Sequence, residues 1–269
     1  MKLTISANYV SIITGDNTYQ KKRDFLINFW KKEDKEDFNN FKELTKFVKK
    51  TDYDKINEIS KKNNLNVNKE LNACLKSKDI NELNKKKEDI LSKIDKLPED
   101  QKKEIKDSIL NVSNTRFGVK NETNVLKIYQ DKSGKSIIKD DKYRTKLISE
   151  NDKYSVYIGG KVDGIDIDNG DIIEIKNRMH KLFFNLRSYE MVQLMCYLHI
   201  FQAKEGYLVE ALKQKDSTEV NVIPMKYNKE IMDDILDKIN KFVLFYVDFI
   251  QNYDKKVSLL TTEDEIDFF

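Results

Sequence analysis

The sequence is poor in cysteine, histidine, glycine and proline. Its 269 residues include only 2 Cys, 2 His, 8 Gly and 2 Pro. Two cysteines, Cys74 and Cys196, cannot form a disulfide framework or supply the four-Cys ligand sets of zinc fingers and iron–sulfur clusters. A site built from both cysteines with His180 and His199 would have spacings unlike those of any zinc finger. We therefore expect no iron–sulfur cluster, and any bound metal should be a cation that prefers carboxylate oxygens.

Long hydrophobic runs and an excess of one charge are also missing. No apolar run approaches the roughly 18 residues of a membrane span, and the first residues lack the apolar segment of a secretory signal. Lys and Arg number 49 against 46 Asp and Glu, so net charge neither indicates nor excludes nucleic acid binding. With 39% hydrophobic residues the chain is too apolar to be disordered. We expect a soluble, intracellular globular protein with no membrane partner.

Glycine and proline are unevenly distributed, and this divides the chain. Residues 16–117 contain no glycine and one proline, Pro98, and they mix charges of both signs with apolar residues at helical spacing. This predicts a surface helical subdomain, with a DNA-gripping arm as the alternative. We predict an N-terminal part of the core over 1–30, a charged helical region over 31–112, the main core over 113–252 and an acidic tail over 253–269. The tail is expected to be a frayed, solvated end or, alternatively, a docking peptide for a partner.

Strand signals begin near residue 143. Apolar and alternating runs predict strands at Tyr143–Ile148, Tyr154–Ile158, Gly160–Ile167, Ile172–Lys176, Gly206–Leu212 and Val220–Tyr227. Turns are predicted at Gly159–Gly160 and Asp168–Asp171. Helical periodicity predicts helices at Phe117–Tyr129, Leu186–Gln202 and Lys229–Asn252. This order of elements predicts an α/β fold with a mixed sheet flanked by helices.

Two carboxylates and one ammonium group are expected to meet at an edge of this sheet. Glu174 and Lys176 lie two residues apart on a strand, so they face the same side, and a hairpin would bring Asp163 beside them. Asp163, Glu174 and the Ile175 carbonyl offer the oxygen ligands that Mg²⁺ prefers, and Lys176 could orient or deprotonate a metal-bound water. An isolated Glu-x-Lys also occurs by chance in so charged a chain. The apolar strand around it favours function, because buried charges are costly unless paired or metal-bound.

This pattern resembles the PD-(D/E)xK nuclease superfamily, and within it the phage lambda exonuclease and YqaJ-like viral recombinase branch. The matching stretches are Ile5–Asn8 with Ile13–Gly15, Phe117–Glu122, Val162–Ile165, Glu174–Lys176 and Val192–Tyr197. The resemblance implies a restriction-endonuclease-like core, in which a mixed five-stranded sheet is flanked by helices, with residues 31–112 as a large helical insertion. Asn8 departs from the family pattern, since it stands where the family has a Ser of its 5′-phosphate pocket.

The resemblance also implies roles for individual residues. Glu122 joins Asp163, Glu174 and Ile175 at the metal, and Gln193 packs against the catalytic strand and orders the site around Lys176. The residues expected to contact the substrate are Arg178, Arg116, Tyr197 and Asn8. For Arg178 the alternative is a cap at the strand end, and for Tyr197 it is a packed ring with a satisfied hydroxyl.

The implied function is an Mg²⁺-dependent exonuclease, with Mn²⁺ as a substitute, that hydrolyses linear duplex DNA in recombination, repair or replication. Two alternatives stay open: a structure- or sequence-specific endonuclease on the same core, and a catalytically silent DNA-binding scaffold. The implied partners are DNA, a single-strand annealing or single-strand-binding protein, and further copies of the chain in a trimer. A viral member would act in the host cytoplasm or nucleus.

Overall fold

The structure is a computed structural model that describes residues 1–76, 80–213 and 217–269, except for the side chains of residues 80, 81, 83, 84 and 114–121. The strands are β1 (Lys2–Ser6), β2 (Ile137–Ile138), β3 (Arg144–Glu150), β4 (Ser155–Gly160), β5 (Gly164–Asp166), β6 (Ile172–Arg178), β7 (Glu205–Lys213) and β8 (Thr218–Lys226). The helices are α1 (Ala7–Ile13), α2 (Lys22–Glu33), α3 (Lys35–Thr45), α4 (Asp52–Lys62), α5 (Val67–Cys74), α6 (Ile80–Lys93), α7 (Glu99–Ser133), α8 (Ser188–Phe201), α9 (Lys229–Gln251) and α10 (Tyr253–Thr261). Within the described part of the chain, every helix is too short or too polar to cross a bilayer.

The strands form two sheets. The five-stranded sheet has the order β2-β5-β6-β7-β8, and it is mixed because β6 and β7 run parallel while the other neighbours are antiparallel. This confirms the predicted α/β class with a mixed five-stranded sheet. A second sheet, β1-β4-β3, pairs the N-terminal strand in parallel with β4. Helix α1 follows this strand directly, and it lies within the first stretch that matches the family.

Helices cover both faces of β6, and the alternation of its side chains decides which residue meets which helix. Ile173 and Ile175 pack with Val125 and Leu126 of α7 in one apolar cluster. On the other face lies α8, which is buried along most of its length and belongs to the main core with α1 and α9. A strand covered on both faces explains why Ile172–Ile175 reads as a continuous apolar run.

The turn predicted at Gly159–Gly160 is wrong. Both glycines belong to β4 and pair with β1 and β3. Gly160 is needed for a close approach instead, because a Cβ built there would lie only 2.5 Å from Cε1 of Tyr197. A glycine pair therefore marks the place where an aromatic ring of α8 contacts the strand backbone.

The charged helical region has an apolar core of its own. Its buried side chains come from α4, α5, α6 and the first part of α7, and include Ile56, Leu71, Ile90 and Ile105. The preceding helix α3 differs, since its Phe38 and Phe41 belong to the main cluster. The separately packed helices therefore begin at α4, later than the predicted boundary at residue 31, and α7 runs straight through the predicted boundary at 112.

The C-terminal segment is not the frayed tail that its acidic composition predicts. Residues 253–261 form α10, and Phe268 is buried, with its ring centroid 4.9 Å from that of Phe242 and 5.3 Å from that of Phe245. Lys22 reaches the same end of the chain through a 2.6 Å ion pair with Asp267. The composition is acidic, but one aromatic side chain ties the end of the chain to the main core.

Candidate active site

Asp163 lies in the short link between β4 and β5, beside the edge of β6 that β5 leaves uncovered. Its backbone N–H donates to the Ile173 carbonyl at 3.1 Å, and its side-chain Oδ2 accepts from the Ile175 N–H at 2.7 Å. Strand β5 pairs with β6 only at Ile172 and Ile173. Because the N–H and C=O of a strand residue point to the same side, the Ile175 carbonyl also points toward Asp163. A carboxylate and a backbone carbonyl therefore face each other at this edge.

Glu174 and Lys176 project together from β6, as the sequence predicts. Lys176 Nζ donates to Glu174 Oε1 at 2.8 Å and to Gln193 Oε1 at 3.0 Å. The side-chain amide of Gln193 in turn donates from Nε2 to Glu174 Oε1 at 3.0 Å. The three side chains form a closed ring of hydrogen bonds, so helix α8 fixes the position of both charged groups on the strand.

Tyr197 and Asn8 extend this ring. Gln193 and Tyr197 are one helical turn apart on α8, and the amide of Gln193 donates to the Tyr197 hydroxyl at 3.0 Å and to Asn8 Oδ1 at 2.9 Å. The Tyr197 hydroxyl donates to the same Asn8 oxygen at 2.6 Å. Tyr197 is buried, which favours the alternative of a packed ring with a satisfied hydroxyl over direct contact with substrate.

Burial disfavours the charged form of each carboxyl group in the site. Burial raises the pKa of Glu174 to about 7, against the attraction of Lys176. Burial also raises the pKa of Asp163, although the Ile175 N–H lowers it, and it raises that of Glu122, helped by the charge of Asp163. For Lys176, burial lowers the pKa but the Glu174 carboxylate more than offsets this, so the ammonium form is favoured. An added cation would relieve the three carboxyl groups.

The donor set suits a hard divalent cation. Asp163, Glu174 and the Ile175 carbonyl supply oxygens, and both hydrogen bonds described for Glu174 reach Oε1, so Oε2 can turn to a ligand. Among the side chains that the structure describes, however, no three His, Cys, Asp or Glu residues are grouped closely enough to hold a metal. Glu122 is therefore a neighbour of the two carboxylates rather than a third member of one cluster.

Arg178 is held by two buried carboxylates. Its guanidinium forms 2.7 Å ion pairs with Glu190 and with Glu210, whose side chains are 1% and 0% exposed. These pairs favour a structural role over the predicted phosphate contact. The side chain of Arg116, the other arginine predicted to contact substrate, lies outside the described residues.

Four charged residues near the site were not anticipated. The charges of Lys139 and Lys161 lower the pKa values of Glu122 and Asp163, so both lysines lie close to the carboxyl groups. No pattern in this lysine-rich sequence distinguishes Lys139 and Lys161 from the other lysines. Glu190 and Glu210 were missed as well, although Glu210 interrupts the apolar run Leu208–Ala211. A lone acid within a buried strand is a usable signal, because it requires a partner.

Comparison with known proteins gives structural likeness only. The sequence matches no family model and no curated protein. A phage-related exonuclease from Haemophilus somnus shares 15% identity, with 51% of this chain and 72% of that one covered at a TM-score of 0.42. An alkaline exonuclease from Laribacter hongkongensis shares 10% identity over 69% of this chain and 90% of its own, with a TM-score of 0.43. Its complex with dAMP gives 11% identity, 70% and 91% coverage and a TM-score of 0.41.

Proposed function

We propose that this chain is a metal-dependent deoxyribonuclease. The observation that carries the proposal is the convergence of Asp163, Glu174 and Lys176 at the part of β6 that β5 does not cover, with Gln193 bonded to both groups of the Glu-x-Lys pair. Two acids that can hold a divalent cation, with a lysine that can stabilise negative charge, are suited to phosphodiester hydrolysis. The order of these residues along the chain also agrees with the resemblance to PD-(D/E)xK nucleases.

Each side chain has a distinct task in this proposal. Asp163, Glu174 and the Ile175 carbonyl would hold Mg²⁺, or Mn²⁺ in its place, which would supply Lewis-acid activation of the phosphate and of a water. Lys176, whose pKa is raised chiefly by Glu174 against the effect of burial, holds an ammonium that stabilises negative charge on the phosphate oxygens. Gln193 keeps the ammonium and the carboxylate at fixed positions.

We further propose an exonuclease that degrades one strand of linear duplex DNA in recombination, repair or replication. Lys139 and Lys161 support a polyanionic substrate, because they place positive charge beside the carboxyl groups. A single-strand annealing or single-strand-binding protein and a trimer of this chain remain proposed partners. They rest on the family resemblance alone.

The test compares cleavage of end-labelled linear duplex and closed circular DNA in the presence of Mg²⁺. The wild type should shorten linear DNA and leave closed circles intact, and Lys176→Ala should lose at least two orders of magnitude in rate, as for removal of a group that stabilises transition-state charge. Lys241→Ala is the matched control, because Lys241 also pairs with an acid, Asp237, at 2.8 Å, but on the helix α9.

Other outcomes decide between the alternatives. Cutting of closed circles would replace the exonuclease with an endonuclease on the same core. Equal rates for the wild type and Lys176→Ala would contradict the assigned site. No cleavage by the wild type with either Mg²⁺ or Mn²⁺ would leave the DNA-binding scaffold as the better description.

A further inference from the structure

A large groove lies between the small sheet and the helical region, outside the ring of hydrogen bonds around Gln193. It encloses about 930 Å³ and is lined by β1, α2, the segment between α3 and α4, and parts of α1, α4 and α7. This volume is at the upper end of the roughly 300–1,000 Å³ typical of pockets for one small ligand. It has room for a short stretch of an extended polymer.

Three accessible tyrosines line the groove. Tyr9, Tyr19 and Tyr143 are 45%, 79% and 53% exposed, and all three line the same groove. Two of these rings are held from behind. Tyr9 packs on the buried Phe25 with ring centroids 5.8 Å apart, and a Cβ added to Gly159 would lie only 2.7 Å from Cε1 of Tyr143. Rings fixed at a protein surface with one face accessible are suited to stacking on flat ligands.

The groove is also basic. Its lining contains five lysines and two aspartates, namely Lys21, Lys32, Lys49, Lys50 and Lys55 with Asp24 and Asp52. Several of the ammonium groups are held by exposed ion pairs, such as that of Lys49 with Asp24 at 3.1 Å. Exposed pairs of this kind contribute only about 0–1 kcal/mol, so a phosphate can replace the carboxylate at little cost.

Two pairs of consecutive residues connect the groove with the candidate active site. Asn8 and Tyr9 are consecutive residues of α1: the side chain of the first accepts a hydrogen bond from Gln193, and the second lines the groove. Gly159 and Gly160 are consecutive in β4, and they contact Tyr143 in the groove and Tyr197 in the site. Because consecutive strand residues face opposite sides of a sheet, the groove and the site lie on opposite faces of β4.

We infer that this groove binds a single strand of nucleic acid, with bases stacked on Tyr9, Tyr19 and Tyr143 and phosphates paired with the surrounding lysines. The combination of fixed rings and mobile positive charge matches the general design of single-strand sites. The inference deepens the proposed function, on which it rests for the class of ligand. It assigns the groove to the unpaired strand, whereas the site acts on the strand that is cut.

The test is a binding measurement that involves no cleavage. Fluorescence anisotropy of a labelled oligothymidylate of about 12 nucleotides, within the roughly 4–16 nucleotides of known single-strand sites, is recorded with the Lys176→Ala protein and no divalent cation. Adding Tyr9→Ala and Tyr143→Ala together should weaken binding about thirtyfold or more, since each stacked base contributes about 1–3 kcal/mol. Tyr253→Ala is the matched control, because Tyr253 is 58% exposed on α10 and away from the groove. The pair Tyr9→Phe and Tyr143→Phe should restore binding.

Salt dependence gives a second readout that a change in folding would not produce. Lys21→Ala with Lys49→Ala should reduce the slope of log affinity against log salt by about 1.4, since each phosphate contact to a single strand contributes about 0.7. Lys241→Ala should leave the slope unchanged. Thermal denaturation of every variant shows whether it is folded.

The inference is overturned if the parent protein does not bind the single strand, or if the tyrosine and lysine variants bind it with an affinity within twofold of that of the parent. It is also overturned if the variants lose affinity for a blunt-ended duplex hairpin to the same extent as for the single strand. These results are independent of the cleavage assay. A protein that binds the single strand through the groove but never cuts DNA would keep this inference and remove the proposed activity. Normal cleavage of DNA, together with unchanged single-strand affinity of the groove variants, would keep the proposed activity and remove this inference.

Discussion

Replacing Arg178 with methionine is expected to destabilise the fold severely, because it leaves two buried carboxylates without their cation. Glu190 and Glu210 are 1% and 0% exposed, and Arg178 donates to both. Removing one partner of a buried ion pair costs about 3–5 kcal/mol. At roughly 2 °C per kcal/mol for a chain of this size, the midpoint of thermal unfolding should fall by about 6–10 °C.

Urea denaturation followed by tryptophan fluorescence measures this loss well. Trp30 is the only tryptophan and is 0% exposed, so its emission reports the opening of the main core. In a matched variant, Arg178→Met is combined with Glu190→Gln and Glu210→Gln. Because that variant leaves no unpaired charge, it should recover part of the lost free energy of unfolding.

The same two proteins separate the structural role of Arg178 from the predicted phosphate contact. If Arg178→Met loses less than about 1 kcal/mol of stability and the salt slope of DNA affinity falls by about 0.9, the reasoning from the ion pairs is refuted and Arg178 binds a phosphate. If stability is lost and the neutralised variant binds DNA with the original slope, the structural role holds.

Three further changes test other parts of the structure. Gly160→Ala should cost about 1–3 kcal/mol in urea denaturation and lower nuclease activity, because the new methyl group displaces the ring packed on the strand. Phe268→Ala should cost about 3–5 kcal/mol, whereas Phe269→Ala, at 52% exposure, should stay within about 0.5 kcal/mol in the same assay. Burial raises the pKa of Glu210, but hydrogen bonds from the Phe184 N–H, Asn221 and Arg178 lower it by more, so its pKa in the folded protein is below the unfolded value. The stabilisation it gives is therefore present at neutral pH, and it is lost as pH falls below the unfolded value of 4.5 and through the folded pKa. Glu210→Gln should accordingly show a smaller drop in melting temperature than the wild type between about pH 5 and about pH 3.

The central strand and its charged pair could be read from the sequence because the signal is local. A period of two puts Glu174 and Lys176 on one face whatever surrounds them, and the apolar residues between them show that both faces are covered. The packing of Gln193 against this strand was expected from the family resemblance, and the structure shows hydrogen bonds between Gln193 and both charged side chains. The strand signal and the position of Gln193 on α8 each depend only on residues close together in the sequence.

Other features could not be read because they depend on contacts between distant segments. The glycine pair before Asp163 has the composition of a turn, yet it contacts two tyrosine rings. The acidic end of the chain has the composition of a solvated tail, yet Phe268 fits a cavity in the core built by α2 and α9. Composition averages over a window, whereas one buried ring decides where the segment lies.

Helix α7 links two apolar cores that are otherwise packed separately. Its Ile105 and Ile109 belong to the helical region, while Val125 and Leu126 pack on β6, and Glu122 lies between them near Asp163. In an α-helix each residue turns the chain by about 100°. One residue added to or removed from the segment between the two cores would therefore rotate Glu122 away from the site or turn the helical region out of its packing. Insertions or deletions in this segment should therefore come in whole helical turns. The helical region can be exchanged for another only if the rotation of α7 between the two cores is preserved.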